Sequence, residues 1–524
     1  MGLIGGTCAI MTPHGSVFPH RENGMSDTNP LVAQLLQEAV ALHQQGKLQA
    51  AQALYERILA VAARQFDALH LSGVIARQQG RPERAVELIC DALTIDPMHA
   101  TARCNLGAAL QDMGRTQDAL ASYDLAVQLN PRYALALSNR GNTLRKLGRL
   151  EEALASYDRA LACRPDYPEA WCNRAITLHD LDRPGDALVS AERALAGRSN
   201  NVDAWCARAN ALQALGRFEE AVQSYDRALA GKGGDAKMWC SRGTALKKLN
   251  DLPGALQSYE RAIELDASYA TAYHYRANTL RALGRSDEAV AAYRQALELG
   301  ADAQQIGFAL AALGVQEVPA ASPTGYVKEL FDQYADHFDR HLVDVLKYRT
   351  PELLGAVLRK CVAPQSMDVL DLGCGTGLFG GHLREYARTL VGVDLSEKML
   401  EKGRERGLYD KLECGDIVQY MEGRTGEFDL VAAADVLVYF GELDQLFAQV
   451  HRALRAGGWF CFSIEAVQEG DYRLTAANRY AHSKRYLQRL ADAAGFSIIA
   501  LETGPLRTEN EVAVLGNLVV LQAR

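Results

Sequence analysis

One spacing constrains the first half of this chain more than any other feature. Between Leu31 and Ala303, residues that favour a tight turn recur every 34 positions, and an alanine stands five positions after each of them. A register kept over eight units predicts eight helical hairpins, which stack because no single hairpin can bury its own apolar face. The turn residues are Gly46, Gly80, Gly114, Gly148, Asp182, Gly216, Asn250 and Gly284.

Aromatic residues keep the same register. Four positions after the alanine most units carry a tyrosine, such as Tyr157 and Tyr225, and Trp171, Trp205 and Trp239 recur near the start of consecutive units. We predict that these tryptophans pack in the core. The combined pattern resembles the tetratricopeptide repeat over about half of the chain. The resemblance implies an all-α superhelical solenoid whose concave groove binds a protein or peptide partner.

Polar columns on the first helix of each unit are the candidate partner contacts. Asn105, Asn139 and Asn173 share one position of the repeat. The similar repeats of O-GlcNAc transferase bind the backbone of an extended peptide through asparagines, so the resemblance implies peptide binding, while a structural role stays open. The arginines one position later are predicted to stabilise the stack along neighbouring helices. They are Arg140, Arg174, Arg208, Arg242 and Arg276.

Composition limits the partners of the chain. The net charge of −8 argues against a general nucleic-acid or anionic-membrane binder, because both partners require a basic surface. No apolar run approaches the roughly 20 residues that span a bilayer. Eleven cysteines occur without a C-x-x-C pair. We therefore predict a reduced, cytoplasmic protein without a metal site.

The domain boundaries follow changes in sequence pattern. Residues 1–30 lack periodicity and are predicted to be a disordered leader, with Met25 as an alternative start. Residues 304–325 are predicted to form a capping helix and a linker. Residues 326–524 alternate strands with helices, which predicts an α/β domain with a mostly parallel sheet. The predicted strands are Met367–Leu372, Thr389–Val393, Lys411–Cys414, Phe428–Ala433, Trp459–Ile464, Ser497–Leu501 and Val512–Leu521.

A glycine-rich loop follows the first of these strands. The stretch from Val369 to Gly380 reads V-L-D-L-G-C-G-T-G-L-F-G. It predicts a strand, a tight turn that lets a ligand approach bare backbone, and a helix N-terminus suited to a negatively charged group. Gly375, Gly377 and Gly380 also satisfy the dinucleotide fingerprint, with Asp394 about 20 residues further on. Two nucleotide-like cofactors therefore compete for this loop.

Two further acids favour one of the two cofactors. Asp371 stands at the end of the first strand, where a carboxylate can hold a ligand ammonium group that a nicotinamide dinucleotide lacks. Asp416 follows the third strand and can accept a hydrogen bond from an adenine amino group. The long last strand, which follows Gly495, fits a sheet that ends in an antiparallel hairpin.

These motifs resemble those of class I S-adenosylmethionine-dependent methyltransferases over about 200 residues. The resemblance implies a Rossmann-like domain with a seven-stranded sheet and S-adenosyl-L-methionine as cofactor. It also implies that Asp394 binds both ribose hydroxyls and that Tyr334 reaches the methionine end from a lid helix. The implied cofactor-binding residues are Tyr334, Asp371, Gly373, Gly375, Gly377, Asp394, Leu395, Asp416 and Ile417.

The catalytic candidates lie after the fourth strand and further along the chain. They are Asp435, Tyr439 and His482, and a general base is needed only if the accepting atom carries a proton. Three functions stay open. The solenoid recruits a protein that is methylated, or the acceptor is a small molecule or carrier-bound acyl group and the solenoid serves assembly, or the chain is a cofactor-binding scaffold without turnover. No motif specifies the methyl acceptor.

Overall fold

The computed structural model describes residues 30–232, 235–335, 347–509 and 512–524. The chain forms two compact units. The first ends at Asp266, and the second begins at Ala267. Except for Pro30, the predicted leader with Met25 lies outside the described residues. The segment after Tyr334 lies outside them from residue 336 onward, and the side chain of Tyr334 itself is not among those described.

The first unit is a series of helical hairpins, as the 34-residue spacing predicts. Consecutive helices pair within each repeat and pack on the next repeat. Its helices are α1 (Pro30–Gln44), α2 (Leu48–Val61), α3 (Phe66–Gln78), α4 (Pro82–Ile95), α5 (Ala100–Asp112), α6 (Thr116–Leu129), α7 (Ala134–Lys146), α8 (Leu150–Cys163), α9 (Pro168–Asp180), α10 (Pro184–Gly197), α11 (Val202–Ala214), α12 (Phe218–Lys232), α13 (Ala236–Lys248) and α14 (Leu252–Leu265).

The turn positions of the repeat adopt the predicted conformation. All eight have positive φ, and the two that are not glycine, Asp182 and Asn250, have φ of 55° and 61°. Aspartate and asparagine tolerate this region better than other side chains. The recurrent tyrosines are fully buried, and a Cβ added at Gly141 would lie 2.6 Å from the ring of Tyr157. The periodic prediction of the repeats is therefore confirmed.

The arginine column joins neighbouring repeats. Arg174 is representative, since its Nε donates to Asp158 Oδ1 at 2.7 Å and its Nη1 donates to Ser190 Oγ at 2.6 Å. The acceptors lie on α8 and α10, the second helices of consecutive repeats. The same arrangement recurs at Arg140, Arg208 and Arg242. These contacts support the predicted role of the arginines in stabilising the stack.

The asparagine column is half-buried and makes contacts inside the unit. Asn105 Nδ2 lies 2.9 Å from His70 Nε2, and Asn139 Nδ2 donates weakly to Cys104 Sγ at 3.9 Å. Asn173 is half-buried on α9. Peptide binding by this column stays a prediction.

The three recurrent tryptophans, predicted to pack in the core, lie at its edge, and Trp171 packs against two of the core clusters. Trp171, Trp205 and Trp239 are each half-buried. The indole Nε1 of Trp171 donates to the Pro165 carbonyl at 2.8 Å, and that of Trp205 to the Ser199 carbonyl at 2.9 Å. Each of these two rings leans from its helix onto the preceding loop, so one side remains exposed.

The second unit begins with the last helical hairpin and continues into the α/β domain. Its helices are α15 (Ala270–Ala282), α16 (Ser286–Glu298), α17 (Ala303–Ala312), α18 (Thr324–Tyr334), α19 (Thr350–Cys361), α20 (Gly380–Leu383), α21 (Glu397–Glu405), α22 (Ile417–Met421), α23 (Asp444–Ala453) and α24 (Lys484–Ala494). A one-turn 3-10 helix covers Leu437–Tyr439. The helix predicted to cap the repeats corresponds to α17.

The sheet has nine strands in the described residues, seven of them predicted. The strands run in the order β3-β2-β1-β4-β5-β7-β6, with β9 antiparallel to β5 and β8 antiparallel to β9. The expected antiparallel hairpin at the end of the chain is therefore confirmed. The strands are β1 (Met367–Leu372), β2 (Ala387–Asp394), β3 (Lys411–Cys414), β4 (Phe428–Ala433), β5 (Leu454–Ala466), β6 (Tyr472–Leu474), β7 (Tyr480–His482), β8 (Phe496–Glu509) and β9 (Val512–Ala523).

Two of the nine strands were not predicted. Strands β6 and β7 form a short antiparallel hairpin, and β7 also pairs with the end of β5. Each has only three residues, which is too short for a periodic signal. Gly457 and Gly458, which resemble a turn before the fifth strand, lie within β5 and interrupt its register with β4.

Alternate residues of the central strands face two separate cores. Leu370 and Leu372 pack with α22, α23 and α24 on one side of the sheet. Val369 packs with α19 and α20 on the other side. Because side chains alternate along a strand, Asp371 projects to the same side as Val369. This three-layer arrangement leaves the carboxyl ends of β1, β2 and β4 open for a ligand.

The predicted linker contains a segment that is held against the sheet. The Ser322 N–H donates to the Tyr439 carbonyl at 2.8 Å, and the Gly441 N–H donates to the Ala320 carbonyl at 2.7 Å. Ala321 forms an antiparallel bridge with Phe440. Part of the linker is therefore hydrogen-bonded to the backbone of the loop that follows β4.

Among the residues that the structure describes, no helix combines the length and the apolar character needed to cross a bilayer.

Candidate functional site

A cavity of about 370 Å³ opens at the carboxyl ends of the parallel strands. Three acids line it: Asp371 next to the end of β1, Asp394 at the end of β2 and Asp416 just after β3. Asp435 and Tyr439, from the loop after β4, line its other side. Residues from four strand ends meet here because parallel strands end at the same edge of a sheet.

The glycine loop is shaped by two close approaches. Gly373 has φ of 64°, and a Cβ there would lie 2.4 Å from a methyl carbon of Val436. Gly377 has φ of 85°, and a Cβ added to it would lie 2.9 Å from the ring of Tyr409. Both positions therefore require glycine. Gly373 and Gly375 line the cavity, whereas Gly377 is not among the described residues that line it.

The helix that follows the loop is short. Helix α20 has only four residues and begins at Gly380. Two adjacent glycines at its start, Gly380 and Gly381, disfavour a longer helix. A negatively charged group therefore gains little from a helix dipole at this position, and the chemistry of the site rests on side chains.

Asp394 ties the glycine loop to the end of β2. Its Oδ2 accepts a hydrogen bond from the Gly375 N–H at 2.9 Å, and its Oδ1 accepts one from the Ser396 N–H at 2.9 Å. Burial raises the pKa of Asp394 to about 6, against the opposing effect of these two N–H donors. Asp394 also lines the cavity, where further lone pairs of its carboxylate can accept from hydroxyl groups.

Asp371 is the most deeply buried acid of the cavity. It is 1% exposed, and its Oδ2 accepts a hydrogen bond from the Tyr409 hydroxyl at 2.7 Å. Burial raises the pKa of Asp371 to about 7, and the charge of Asp394 acts in the same direction. A cation placed in the cavity would lower this pKa and stabilise the carboxylate. Tyr409 was not predicted, because nothing in its local sequence marks it.

Asp416 caps the helix that follows β3. Its Oδ1 accepts hydrogen bonds from the backbone N–H groups of Val418 at 2.8 Å and Gln419 at 3.1 Å. A cap does not exclude a ligand contact, because the two bonds use one oxygen. Leu395 and Ile417 line the cavity beside Asp416 and give this side an apolar surface.

The opposite side of the cavity carries a charged cluster. The cluster consists of Asp435, Glu465, Arg479 and Arg507. Arg479 Nη1 lies 3.3 Å from Asp435 Oδ2 and 3.7 Å from Glu465 Oε1. Arg507 binds Glu465, and its Nη1 lies 3.7 Å from Asp435 Oδ1. Arg479 and Asp435 line the cavity, so charge and apolar surface meet there.

Aromatic residues complete this side of the cavity. Tyr439 is 7% exposed, and burial raises its pKa to about 12. The Phe331 ring packs edge-on against Tyr439, with centroids 5.7 Å apart. Tyr348 also lines the cavity, and burial raises its pKa. Sequence reasoning missed Arg479 and Tyr348, since they belong to no motif.

The third catalytic candidate has a different environment. His482 lies on β7 and is fully buried, and burial lowers its pKa to about 4. Its Nε2 lies 3.1 Å from the Gly441 carbonyl, and its ring stacks on Tyr486. His482 is not among the described residues that line the cavity. The contacts and the lowered pKa indicate that His482 is a neutral side chain packed in the interior.

Comparison with known families assigns both parts of the chain. A model described as a methyltransferase domain matches residues 370–462, which contain the glycine loop and the acids after β2, β3 and β4. Models of the tetratricopeptide repeat match residues 36–100, 100–133, 141–182, 202–230, 243–280 and 270–302. The chain carries tetratricopeptide repeats and a methyltransferase domain. Of the two interpretations of the glycine loop, these matches favour the methyltransferase.

Several relatives of this domain are named as methyltransferases. A malonyl-[acyl-carrier protein] O-methyltransferase of Legionella pneumophila is 31% identical over 169 residues, which are 31% of this chain and 58% of the relative. A ubiquinone biosynthesis O-methyltransferase of Thiobacillus denitrificans is 33% identical over 99 residues, 18% of this chain and 43% of the relative. This chain thus spans about half the length of either relative.

A solved structure resembles the repeats. A tetratricopeptide repeat protein from Parabacteroides merdae has 20% sequence identity and a TM-score of 0.38, and the similarity covers 46% of this chain and 95% of that one. Similarity at this level carries no argument about function.

Proposed function

We propose that the second unit transfers a methyl group from S-adenosyl-L-methionine to an acceptor bound beside Asp435, Tyr439 and Arg479. The observation that carries this proposal is the convergence of Asp371, Asp394 and the glycine loop on one cavity. The domain match and the O-methyltransferase relatives support the reaction class.

The residues at the strand ends fit the cofactor. Asp371 would hold the ammonium group, because a buried carboxylate with a raised pKa gains most from a nearby cation. Asp394 would accept hydrogen bonds from the ribose hydroxyls. Asp416 would accept a hydrogen bond from the adenine amino group, with the adenine ring between Leu395 and Ile417. When bound, the cofactor supplies a methyl group on a sulfonium, which a nucleophilic atom displaces in line. The chain contributes orientation and exclusion of water.

The far side of the cavity would orient the acceptor. Asp435 lines the cavity, so its carboxylate would accept a hydrogen bond from an acceptor hydroxyl or amine. If the accepting atom carries a proton, Asp435 is the candidate to receive it. Tyr439 would form the apolar wall over the reacting atoms. His482 is left out of this mechanism because of its buried, hydrogen-bonded environment.

We infer that the repeats recruit a protein partner or the protein substrate itself. The half-buried Asn105, Asn139 and Asn173 column would bind the backbone of an extended peptide. A second candidate is an oxygen acceptor on a small molecule or a carrier-bound acyl group, with the repeats used for assembly. The names of the two O-methyltransferase relatives favour it. The third candidate function is a scaffold that binds the cofactor without turnover.

Radiolabelled methyl transfer in a host extract distinguishes these functions. We expect the full chain to label a protein fraction, and label only in small molecules or acyl carriers would favour the second candidate. Asp371→Ala combined with Asp394→Ala serves as the inactive control. Tight cofactor binding without any transfer would favour the scaffold, and unchanged cofactor affinity in the double variant would reject the assignment of the site.

A variant of the repeats tests recruitment. Asn139→Ala combined with Asn173→Ala should reduce labelling of the protein acceptor about thirtyfold, because each of the two lost backbone hydrogen bonds costs about 1 kcal/mol. Cofactor affinity should not change. Gln128→Ala, an exposed position on α6, is the matched control. Equal labelling by the asparagine variant and this control would contradict peptide recruitment through the column.

Cofactor binding should depend on pH. The pKa values of Asp371 and Asp394 are raised to about 7 and about 6, so both carboxyls bind protons in the ligand-free protein below these values. A cation in the cavity favours the charged form of Asp371, and binding therefore releases protons. We expect affinity to rise as pH increases from about 5.5 to about 7 and then to level off. Calorimetry in buffers of different ionisation enthalpy would measure the proton release, and proton uptake would contradict the assignment.

A further inference from the structure

The turn between β6 and β7 links the last helical repeat to the cavity wall. The Asn478 N–H donates to the Thr475 carbonyl at 3.0 Å, and the Thr475 N–H donates to the Arg479 carbonyl at 2.8 Å. Asn478 has φ of 60°, a conformation that asparagine tolerates better than most side chains. These features define a tight turn. The side chains of three consecutive residues, from 478 to 480, contact three different parts of the second unit.

Asn478 joins the last repeat to α18. It is 5% exposed, and its Oδ1 accepts a hydrogen bond from Arg281 Nη1 at 2.9 Å. Its Nδ2 donates to the Tyr326 hydroxyl at 3.2 Å. Arg281 lies on α15, within the matched repeat at residues 270–302. A residue of a tetratricopeptide repeat therefore holds a buried side chain of the α/β domain.

The next residue, Arg479, reaches the cavity. Its guanidinium lies 6.0 Å from the centre of the Tyr439 ring, and it pairs with Asp435 in the charged cluster. Tyr480 anchors the other side of the turn, because its hydroxyl donates to the Pro319 carbonyl at 2.7 Å and its ring faces Phe308 of α17 at 6.2 Å. Arg479 is thus fixed between two anchored neighbours.

The Arg281 contact has consequences for Arg479. Adjacent Cα atoms are a fixed distance of about 3.8 Å apart, so a displacement of Asn478 moves the backbone of Arg479. Without its charged donor, the buried Asn478 Oδ1 would lose a partner, which favours other conformations of the turn. The guanidinium of Arg479 would then leave its position between Asp435 and Tyr439.

We propose that Arg281 of the last repeat is a positioning residue for the methyl acceptor, because it holds Asn478 and thereby the cavity-lining Arg479. This inference rests on the proposed methyl transfer. On this proposal, the last repeat contributes to the acceptor site in addition to continuing the 34-residue repeat. Arg281 acts through Arg479 and contacts neither the cofactor acids nor the glycine loop in the described structure.

The test compares full-length Arg281→Ala, Arg281→Lys and the control Arg285→Ala, whose side chain pairs with the exposed Glu288. In Arg281→Ala we expect the half-saturating concentration of the labelled acceptor fraction to rise about tenfold, the effect of one charge-assisted hydrogen bond. Amide hydrogen exchange over residues 475–482 should accelerate to a similar extent. Cofactor affinity should stay within about twofold. Lysine should restore most of the acceptor affinity, and Arg285→Ala should match the wild type.

The double variant of Arg281→Ala and Arg479→Ala adds an independent criterion. If Arg281 acts through Arg479, the double variant should be no weaker for the acceptor than Arg479→Ala alone. Additive effects, or unchanged acceptor affinity and exchange in Arg281→Ala, would overturn the inference while leaving the proposed function intact. An equal loss of cofactor affinity would also overturn it, since this indicates general destabilisation. A wild-type chain that binds the cofactor and methylates nothing would reject the proposed function, and this inference with it.

Discussion

Replacing Arg507 with methionine is expected to destabilise the second unit by about 3–5 kcal/mol, the cost of breaking a buried ion pair from one side. The Arg507 side chain is 1% exposed and binds Glu465, whose side chain is 9% exposed. Its second carboxylate neighbour is Asp435, at 3.7 Å. Among the described residues, removal of the guanidinium would leave the two acids with Arg479 as their remaining cationic partner. Methionine fills most of the volume but supplies no hydrogen bonds.

The measurement should resolve the two units, because a chain with two compact units need not unfold in one step. Denaturant-dependent hydrogen exchange of peptides from β5 and β8 reports the second unit specifically. Arg359→Met, which removes an exposed pair with Glu385, is the control and should cost at most about 1 kcal/mol. Combining Arg507→Met with Glu465→Gln should recover part of the loss. A loss below about 1 kcal/mol in the single variant would contradict the importance of the cluster.

Replacing Asp371 with asparagine is expected to weaken cofactor binding about 100-fold, since a buried charge pair that loses one partner costs about 2–5 kcal/mol. The side chain keeps its shape, and its oxygen can still accept from the Tyr409 hydroxyl. The change therefore removes charge with little disturbance of packing. Calorimetric titration with the cofactor measures it.

The same variant should change stability in the opposite direction. The folded-state pKa of Asp371 lies above its unfolded value, so its contribution to stability is lost as pH rises from about 4 to about 7. Asp371→Asn removes this loss, and the variant should gain stability relative to the wild type at about pH 8. Loss of cofactor affinity without this gain would indicate misfolding of the loop rather than loss of a charge.

Asp368 provides a matched control on the same strand. Its contacts with Arg388 and Thr389 hold its pKa below the usual range, so its contribution is present at neutral pH and lost as pH falls below about 4. Asp368 also pairs with Arg455, and all three contacts lie outside the cavity. Asp368→Asn should therefore cost stability at about pH 8 and leave cofactor affinity unchanged. A comparable loss of affinity in both variants would contradict the specific role of Asp371.

Local and periodic features of the fold could be predicted from the sequence. The 34-residue register predicts the helical hairpins and the positive φ at Asp182 and Asn250, because a turn of this kind is decided by one residue and its neighbours. Strands β1, β3 and β4 match their predicted bounds, and β1 and β4 are short, mostly apolar runs between turn residues. The three-residue strands β6 and β7 carry no such signal.

The sequence by itself determined the repeats, seven of the nine described strands and the convergence of Asp371, Asp394 and Asp416. That convergence follows from topology, because the carboxyl ends of parallel strands share one edge. Only the tertiary structure decided which side chains face these acids. Tyr409 donates a hydrogen bond to Asp371, from which it is separated by 38 positions in the sequence. Arg281 donates one to Asn478, at a separation of 197 positions. Such contacts depend on how helices and strands pack in space, and no local period or spacing in the chain encodes them.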